Sequence, residues 1–258
     1  ILILLKNILF YKYVEIKEPE KLRQEQFKLA NSLNLFGTIL IAKEGINGCL
    51  SGNNRDIEKY KSTLPKNKKF SDIKFKEGAA NNHTFRKLHV RVRDEIVSSK
   101  FNVDIKNKGK YIEPNELKKL LDKNEDIILL DARNNYEYNI GKFRNAIQLN
   151  LDTFRQFPSK INQLKKIISK SLKNKNLKSN NGNKKLLNKK IITYCTGGVR
   201  CEKASAFLRE NGFNNVYQLH GGILAYGKEC GNAHWEGKCF VFDTRGAIDI
   251  DPNQQSEP

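Results

Sequence analysis

The run Tyr194-Cys195-Thr196-Gly197-Gly198-Val199-Arg200-Cys201-Glu202-Lys203-Ala204 is where this sequence could do chemistry. Lys190–Cys195 reads as a buried strand, and Cys201–Gly212 as a helix ended by Gly212. Thr196, Gly197, Gly198, Val199 and Arg200 form the loop between them. Two glycines let backbone N–H groups turn inward, the helix start adds partial positive charge, and Arg200 adds a full one. Each favours an anion, so Cys195 is expected to carry a thiolate, with a pKa below the free value of about 8.5. The plain alternative is a buried structural cysteine. Cys201 could resolve an oxidised Cys195, or simply begin the helix.

Loop length narrows the chemistry. A tyrosine-phosphatase-type loop needs Cys, five residues, then Arg, and that position here is Cys201. Phosphoryl chemistry is therefore disfavoured. A metal reading of Cys230, His234 and Cys239 also fails on spacing, with no fourth ligand evident, so no metal is expected.

Around the loop, strands alternate with helices. Glu113-Pro114 opens a helix to about Lys123. Asp126–Asn134, Asn145–Asn150, Lys190–Cys195 and Asn215–Ile223 read as strands, with a partly helical stretch at Phe154–Ile167. That alternation predicts a parallel sheet covered by helices, with ligands gathering at the carboxyl ends of its strands. Upstream, Ile8–Ile16, Gly37–Lys43, Ile73–Lys76 and Leu88–Arg93 read as strands, and Pro19 onward and Asn54–Leu64 as helices. Glu44–Gly48 reads as a turn. The β-α-β-β-α-β order is that of a ferredoxin-like or acylphosphatase-like α+β sandwich. The fold class is α/β, in three parts: 1–110, 111–230 and a tail, 231–258.

The net charge of +19 over 258 residues points to a polyanionic partner. It is uneven: +11 in 1–110, −1 in 111–159, +11 in 160–190 and −2 in 191–258. The 169–190 Lys/Asn tract reads as a disordered insertion, with an arm touching nucleic acid as the other reading. In Leu88–Arg93, Val90 and Val92 face one way, and His89, Arg91 and Arg93 the other, joined by Lys87. Such a face suits a phosphate backbone, or is an ordinary solvated face. Glu44, Asn47 and Gly48 form either an RNA-facing turn or a turn that needs glycine. No run approaches the ~18 apolar residues of a membrane span, and five cysteines make no disulfide scaffold. The apolar N-terminus reads as a strand rather than a signal peptide, so a cytoplasmic protein with no membrane partner is expected.

The loop spacing resembles that of rhodanese domains. "DARNNYEYNIGKFRNAIQLN" (Asp131–Asn150) is similar to their strand-and-turn segment, and "LHGGILAY" (Leu219–Tyr226) to their closing strand and turn. Together with "FYKYVEI" and "AKEGINGCLSG", these motifs resemble the rhodanese-domain tRNA uridine hydroxylases over about 8–168 and 190–248. That resemblance implies hydroxylation of C5 of the wobble uridine to 5-hydroxyuridine. It implies molecular oxygen as co-substrate, no established cofactor and an unknown electron donor. The substrate would be tRNA at its anticodon stem-loop, and Cys195 the essential residue. Asp131 and Arg133 would brace the loop. The Lys/Asn insertion departs from the family pattern. A sulfurtransferase carrying a persulfide on Cys195, and a non-catalytic RNA binder, are the rival readings. Oligomeric state is not written in the sequence.

Overall fold

The computed structural model describes residues 5–80, 82–174 and 182–254. Two compact units emerge: Ile1–Ser98 with Phe242–Gly246, and Ser99–Val241 with Ala247–Pro258. The boundary thus falls before 110. Asp104 N–H donates to Glu210 (2.7 Å) and Gly109 N–H to Ser205 Oγ (3.0 Å), tying this stretch to the second unit. Nor is 231–258 a separate tail. Within it Phe242–Gly246 joins the first unit, where the Thr244 N–H donates to the Thr84 carbonyl (3.0 Å).

The first unit contains β1 (Leu5–Tyr13), α1 (Pro19–Ser32), β2 (Phe36–Ala42), β3 (Gly45–Asn53), α2 (Asn54–Thr63), β4 (Phe75–Ala80) and β5 (Leu88–Val92). The sheet order is β4-β1-β3-β2-β5. Its first four strands are antiparallel neighbours with the expected β-α-β-β-α-β connectivity, and β5 is added parallel to β2. Alternation places Ile8, Phe10, Ile39, Ile41, Ile46, Leu50 and Val90 on one face, packed with Leu22, Ala30, Ile57 and Tyr60 of the helices. Asn53 caps α2 by accepting the Asp56 N–H (2.9 Å). The turn expected over Glu44–Gly48 is shorter than that. From Gly45 the chain is already β3, hydrogen-bonded between β1 and β2, and this pairing overrides the local preference of its glycines.

The second unit runs β6 (Lys110–Ile112), α3 (Pro114–Asp122), β7 (Ile128–Asp131), α4 (Asn135–Ile140) and β8 (Gly141–Phe143). It continues with α5 (Ile161–Asn174), α6 (Gly182–Leu187), β9 (Ile191–Tyr194), α7 (Val199–Glu210), β10 (Val216–Leu219) and α8 (Gly222–Cys230). Four parallel strands lie in the order β6-β10-β9-β7. Leu129, Ile192, Tyr194 and Leu219 share a core with Leu117 of α3 and Ile223 of α8. Residues of the other parity, Leu130, Ile191, Thr193 and Gln218, are buried as well, as a sheet covered on both faces requires.

Three expectations change here. Asn145–Asn150 makes only the single bridge Leu130–Ile147 beside β7, and the fourth strand of the sheet is instead β6, at the opposite edge beside β10. The last strand stops at Leu219, because Gly222–Cys230 is helical. Of the insertion expected to be disordered, 169–174 continues α5, which Leu164 and Ile168 anchor in the core, and 182–187 is α6, with Leu186 buried. Lys189 pairs with Asp126. Residues 175–181 lie outside the described residues. No helix among the described residues is long and apolar enough to cross a membrane.

Candidate active site

Cys195 follows the last residue of β9, at the carboxyl end of the parallel sheet. The backbone then turns through Gly198, at φ +100°, into α7. This closes the loop on the sulfur: the Gly198 N–H donates to Cys195 Sγ at 3.1 Å. Cys201 is the third residue of α7, a position whose side chain leans back over the helix start, and its thiol hydrogen-bonds Cys195. Burial pushes the Cys195 thiol up. The Cys201 hydrogen bond, the Arg200 charge and the backbone N–H groups of Cys201 and Arg200 overcome it, bringing the group down to about 6. Cys201 moves the opposite way. Burial, its hydrogen bond to Cys195 and the charge there hold it protonated. The two sulfurs are thus biased in opposite directions, Cys195 toward thiolate and Cys201 toward thiol, and both are fully buried.

The loop carbonyls are held from behind. Ile223 N–H donates to the Cys195 carbonyl (3.0 Å) and Leu224 N–H to that of Thr196 (3.2 Å). These are donors at the start of α8, where no intrahelical acceptor exists. The approach is so close that a Cβ on Gly222 would stand 2.5 Å from the Cys195 oxygen and 2.6 Å from the Thr196 oxygen. Farther along the same helix, a Cβ on Gly227 would stand 2.0 Å from the carbonyl oxygen of the buried Ile250.

Arg200 reaches Glu137 with both terminal nitrogens, Nη1 to Oε2 at 2.6 Å and Nη2 to Oε1 at 2.7 Å. Burial alone would raise the Glu137 carboxyl. The charge and hydrogen bonds of Arg200 and the N–H of Asn134 outweigh it and hold it below the usual carboxylate range. Glu137 is wholly buried and was not singled out in the sequence. The signal was there: Asn134 and Glu137 have capping-box spacing, and at the start of α4 the Glu137 half of it forms, with the Asn134 N–H donating to Glu137 Oε2 (3.1 Å).

Asp131 and Arg133 lie beneath the loop. Arg133 Nη2 donates to Asp131 Oδ2 (2.6 Å) and to the Gly141 carbonyl (2.6 Å). Its guanidinium stacks 5.5 Å from the ring centroid of Tyr194, the residue before Cys195, and 5.4 Å from that of Trp235. Ala132 N–H donates to the Tyr194 carbonyl (3.0 Å). A second Asp-x-Arg clamp, with the same donors, occurs in the first unit: Arg245 Nη2 donates to Asp243 Oδ2 (2.6 Å).

The remaining sequence-derived residues fall elsewhere. Lys87, His89, Arg91 and Arg93 form one exposed row on the edge strand β5 and its flanks, where Gly37 N–H to Lys87 O (3.0 Å) and Arg93 N–H to Ile41 O (2.8 Å) prolong the ladder. Glu44 and Asn47 both engage the backbone of Ile96: Glu44 Oε1 accepts its N–H (2.9 Å), and Asn47 Nδ2 donates to its carbonyl (2.9 Å). Cys230, His234 and Cys239 do not converge. Cys230 contacts Asn115, His234 bonds Asp122 (2.7 Å), and Cys239 is buried. Among the described residues no three His, Cys, Asp or Glu side chains cluster as metal ligands would.

Comparison with known proteins matches both units. Residues 5–96 fit the UPF0176 acylphosphatase like domain, and residues 113–229 the Rhodanese-like domain. A tRNA uridine(34) hydroxylase from Cytophaga hutchinsonii is 42% identical over 245 residues, covering 94% of this chain and 72% of that protein. Another, from Onion yellows phytoplasma, is 42% identical over 252 residues, covering 96% of this chain and 76% of that protein. A rhodanese-like domain protein from Staphylococcus aureus, of known crystal structure, is 26% identical over 47% of this chain and 94% of that one, at a TM-score of 0.34. The assignment does not rest on it. With two domain matches in order and this identity over nearly its whole length, the chain belongs to the tRNA uridine(34) hydroxylase family.

Proposed function

We propose that this protein hydroxylates C5 of the wobble uridine of tRNA, with molecular oxygen as co-substrate and Cys195 as the catalytic residue. The observation that carries this is a thiolate held at a sheet end by Gly198 N–H, the Cys201 thiol and Arg200. Cys195 adds through its sulfur to C6 of the uracil, which makes C5 electron-rich toward oxygen. Elimination of the thiolate then restores the ring. Thr196, Gly197, Gly198 and Val199 shape the loop, and Arg200 biases its charge. Asp131 and Arg133 position the strand end from which Cys195 projects.

The row Lys87, His89, Arg91 and Arg93 meets tRNA phosphates. Glu44 and Asn47 serve that row from behind by fixing Ile96, which follows β5. The substrate region is the anticodon stem-loop, which carries the wobble base, and a reducing cytoplasm suits a free reactive thiol. Sulfur transfer from thiosulfate is the weaker reading: Glu137 already takes both arms of Arg200, leaving little positive charge for a dianion.

Nucleoside mass spectrometry of tRNA from a hydroxylase-deficient strain tests this reading. Return of 5-hydroxyuridine or its derivatives is expected with the intact protein and not with Cys195→Ala. If a well-expressed wild type restores nothing but forms thiocyanate from thiosulfate and cyanide, the sulfurtransferase reading replaces it.

A further inference from the structure

The hydroxylation above does not balance without an electron source. Inserting one oxygen atom of O2 into C5–H leaves the second atom to be reduced to water, and that takes two electrons. Two sulfurs stand where these electrons are needed. Cys201 stands in the first turn of α7, and Gly198 links it to the Cys195 loop: the Gly198 N–H donates to Cys195 Sγ (3.1 Å), the Cys201 N–H donates to the Gly198 carbonyl (3.0 Å), and both side chains are closed to solvent. A thiol with only a structural role needs no second thiol against it. The other three cysteines, Cys49, Cys230 and Cys239, are free as well, and none of them is a partner of Cys195.

We propose that the Cys195–Cys201 pair is the two-electron donor of the reaction, closing to a disulfide once per turnover and reopened by an external dithiol. The proposal rests on the hydroxylase reading. In balanced form, the Cys195 thiolate forms the C6–S bond, and the electron pair displaced to C5 forms a bond to O2. Protonation of the outer oxygen gives a C5 hydroperoxide. The sulfur of Cys201 takes that outer oxygen: the O–O bond breaks, an S–O bond forms, and the thiol proton goes to the oxygen left on C5. Cys201 is now a sulfenic acid, oxidised by two electrons. Loss of the C5 proton and of the Cys195 thiolate from C6 releases 5-hydroxyuridine. The freed thiolate attacks the Cys201 sulfenic sulfur, forming the disulfide and expelling hydroxide, which leaves as water. A dithiol then reduces the disulfide by thiol exchange through a mixed disulfide.

The test is a single-turnover count. Fully reduced protein, freed of reductant under anaerobic conditions, is mixed with tRNA lacking the modification, and air is admitted. The expected result is at most about one 5-hydroxyuridine per protein, matched by an equal amount of Cys195–Cys201-linked peptide, with dithiothreitol restoring repeated turnover. Cys201→Ala, a small apolar replacement suited to a buried position, is expected to lower the burst about tenfold or more. Product formed while both sulfurs can still be alkylated as free thiols overturns the proposal alone, and this readout on the wild type does not depend on how the variant folds. A wild type that makes no 5-hydroxyuridine even with dithiothreitol overturns the hydroxylase reading, and the proposal with it.

Discussion

Two buried arginine–carboxylate clamps flank the loop, and they differ in what their charge can reach. Arg133 grips Asp131 two residues back and the Gly141 carbonyl, and its flat face lies against Tyr194 and Trp235. Arg200 grips Glu137 from 63 residues away and keeps its charge felt at the Cys195 sulfur. The first clamp is all geometry: it fixes the end of the strand that carries Cys195. The second is geometry and electrostatics together, because its cation serves a permanent carboxylate and a thiolate. Similar hydrogen bonds therefore have different consequences, decided by the neighbour each guanidinium faces.

Breaking the first clamp should have the largest effect on stability. Arg133→Ala leaves the Asp131 carboxylate buried without its cation and is expected to cost about 3–5 kcal/mol. Urea unfolding measures it, and a loss below about 1 kcal/mol would contradict this account. Glu137→Gln is next. It keeps the shape but replaces a charge-assisted pair, for about 1.5–3 kcal/mol. It also frees Arg200 to act on the sulfur alone, so the ultraviolet absorbance of the thiolate should titrate lower than in the wild type. An upward move would mean that Arg200 is held near Cys195 only by Glu137.

In the wild type the thiolate itself should titrate near pH 6, and that step should vanish in Cys195→Ser. The folded pKa is depressed, so its stabilising contribution is complete above the unfolded value of about 8.5 and is lost as the pH falls through about 6. Hydroxylation should decline over the same acid limb. A pH–rate profile flat down to pH 5 would remove the thiolate from the mechanism.

The smallest effect belongs to the clamp in the first unit. Arg245 is 27% exposed, against 0% for Arg133, so water can enter where Arg245→Ala leaves a gap beside Asp243. About 1 kcal/mol or less is expected from the shift in its unfolding midpoint. A loss as large as that of Arg133→Ala would show that the Asp-x-Arg hydrogen bonds the two clamps share, rather than burial, set the cost.

Which parts of this could be read beforehand follows sequence distance. The Cys195 loop was legible because strand, turn and helix start are consecutive, and so was the basic row of β5, whose alternation is local. The sandwich order was legible from its helices and apolar strands. Glu137 was not tied to Arg200, because no periodicity links residues 63 apart. The first two residues of α8, Gly222 and Ile223, were read as the end of a strand, because the first N–H groups of the helix find their acceptors in the loop at Cys195 and Thr196, not in their own segment. Ser169–Asn174 looked structureless by composition, yet the apolar residues that anchor its helix, Leu164 and Ile168, lie just before it.

The short helix α8 has a mechanical consequence. At Gly222 it bears on the carbonyl of Cys195, and at Gly227 it is borne upon by the carbonyl of Ile250. Backbone meets backbone at both points, so no side chain is available to flex and absorb a push. A larger residue at either glycine would therefore have to displace main chain, at Cys195 in the one case and at Ile250 in the other.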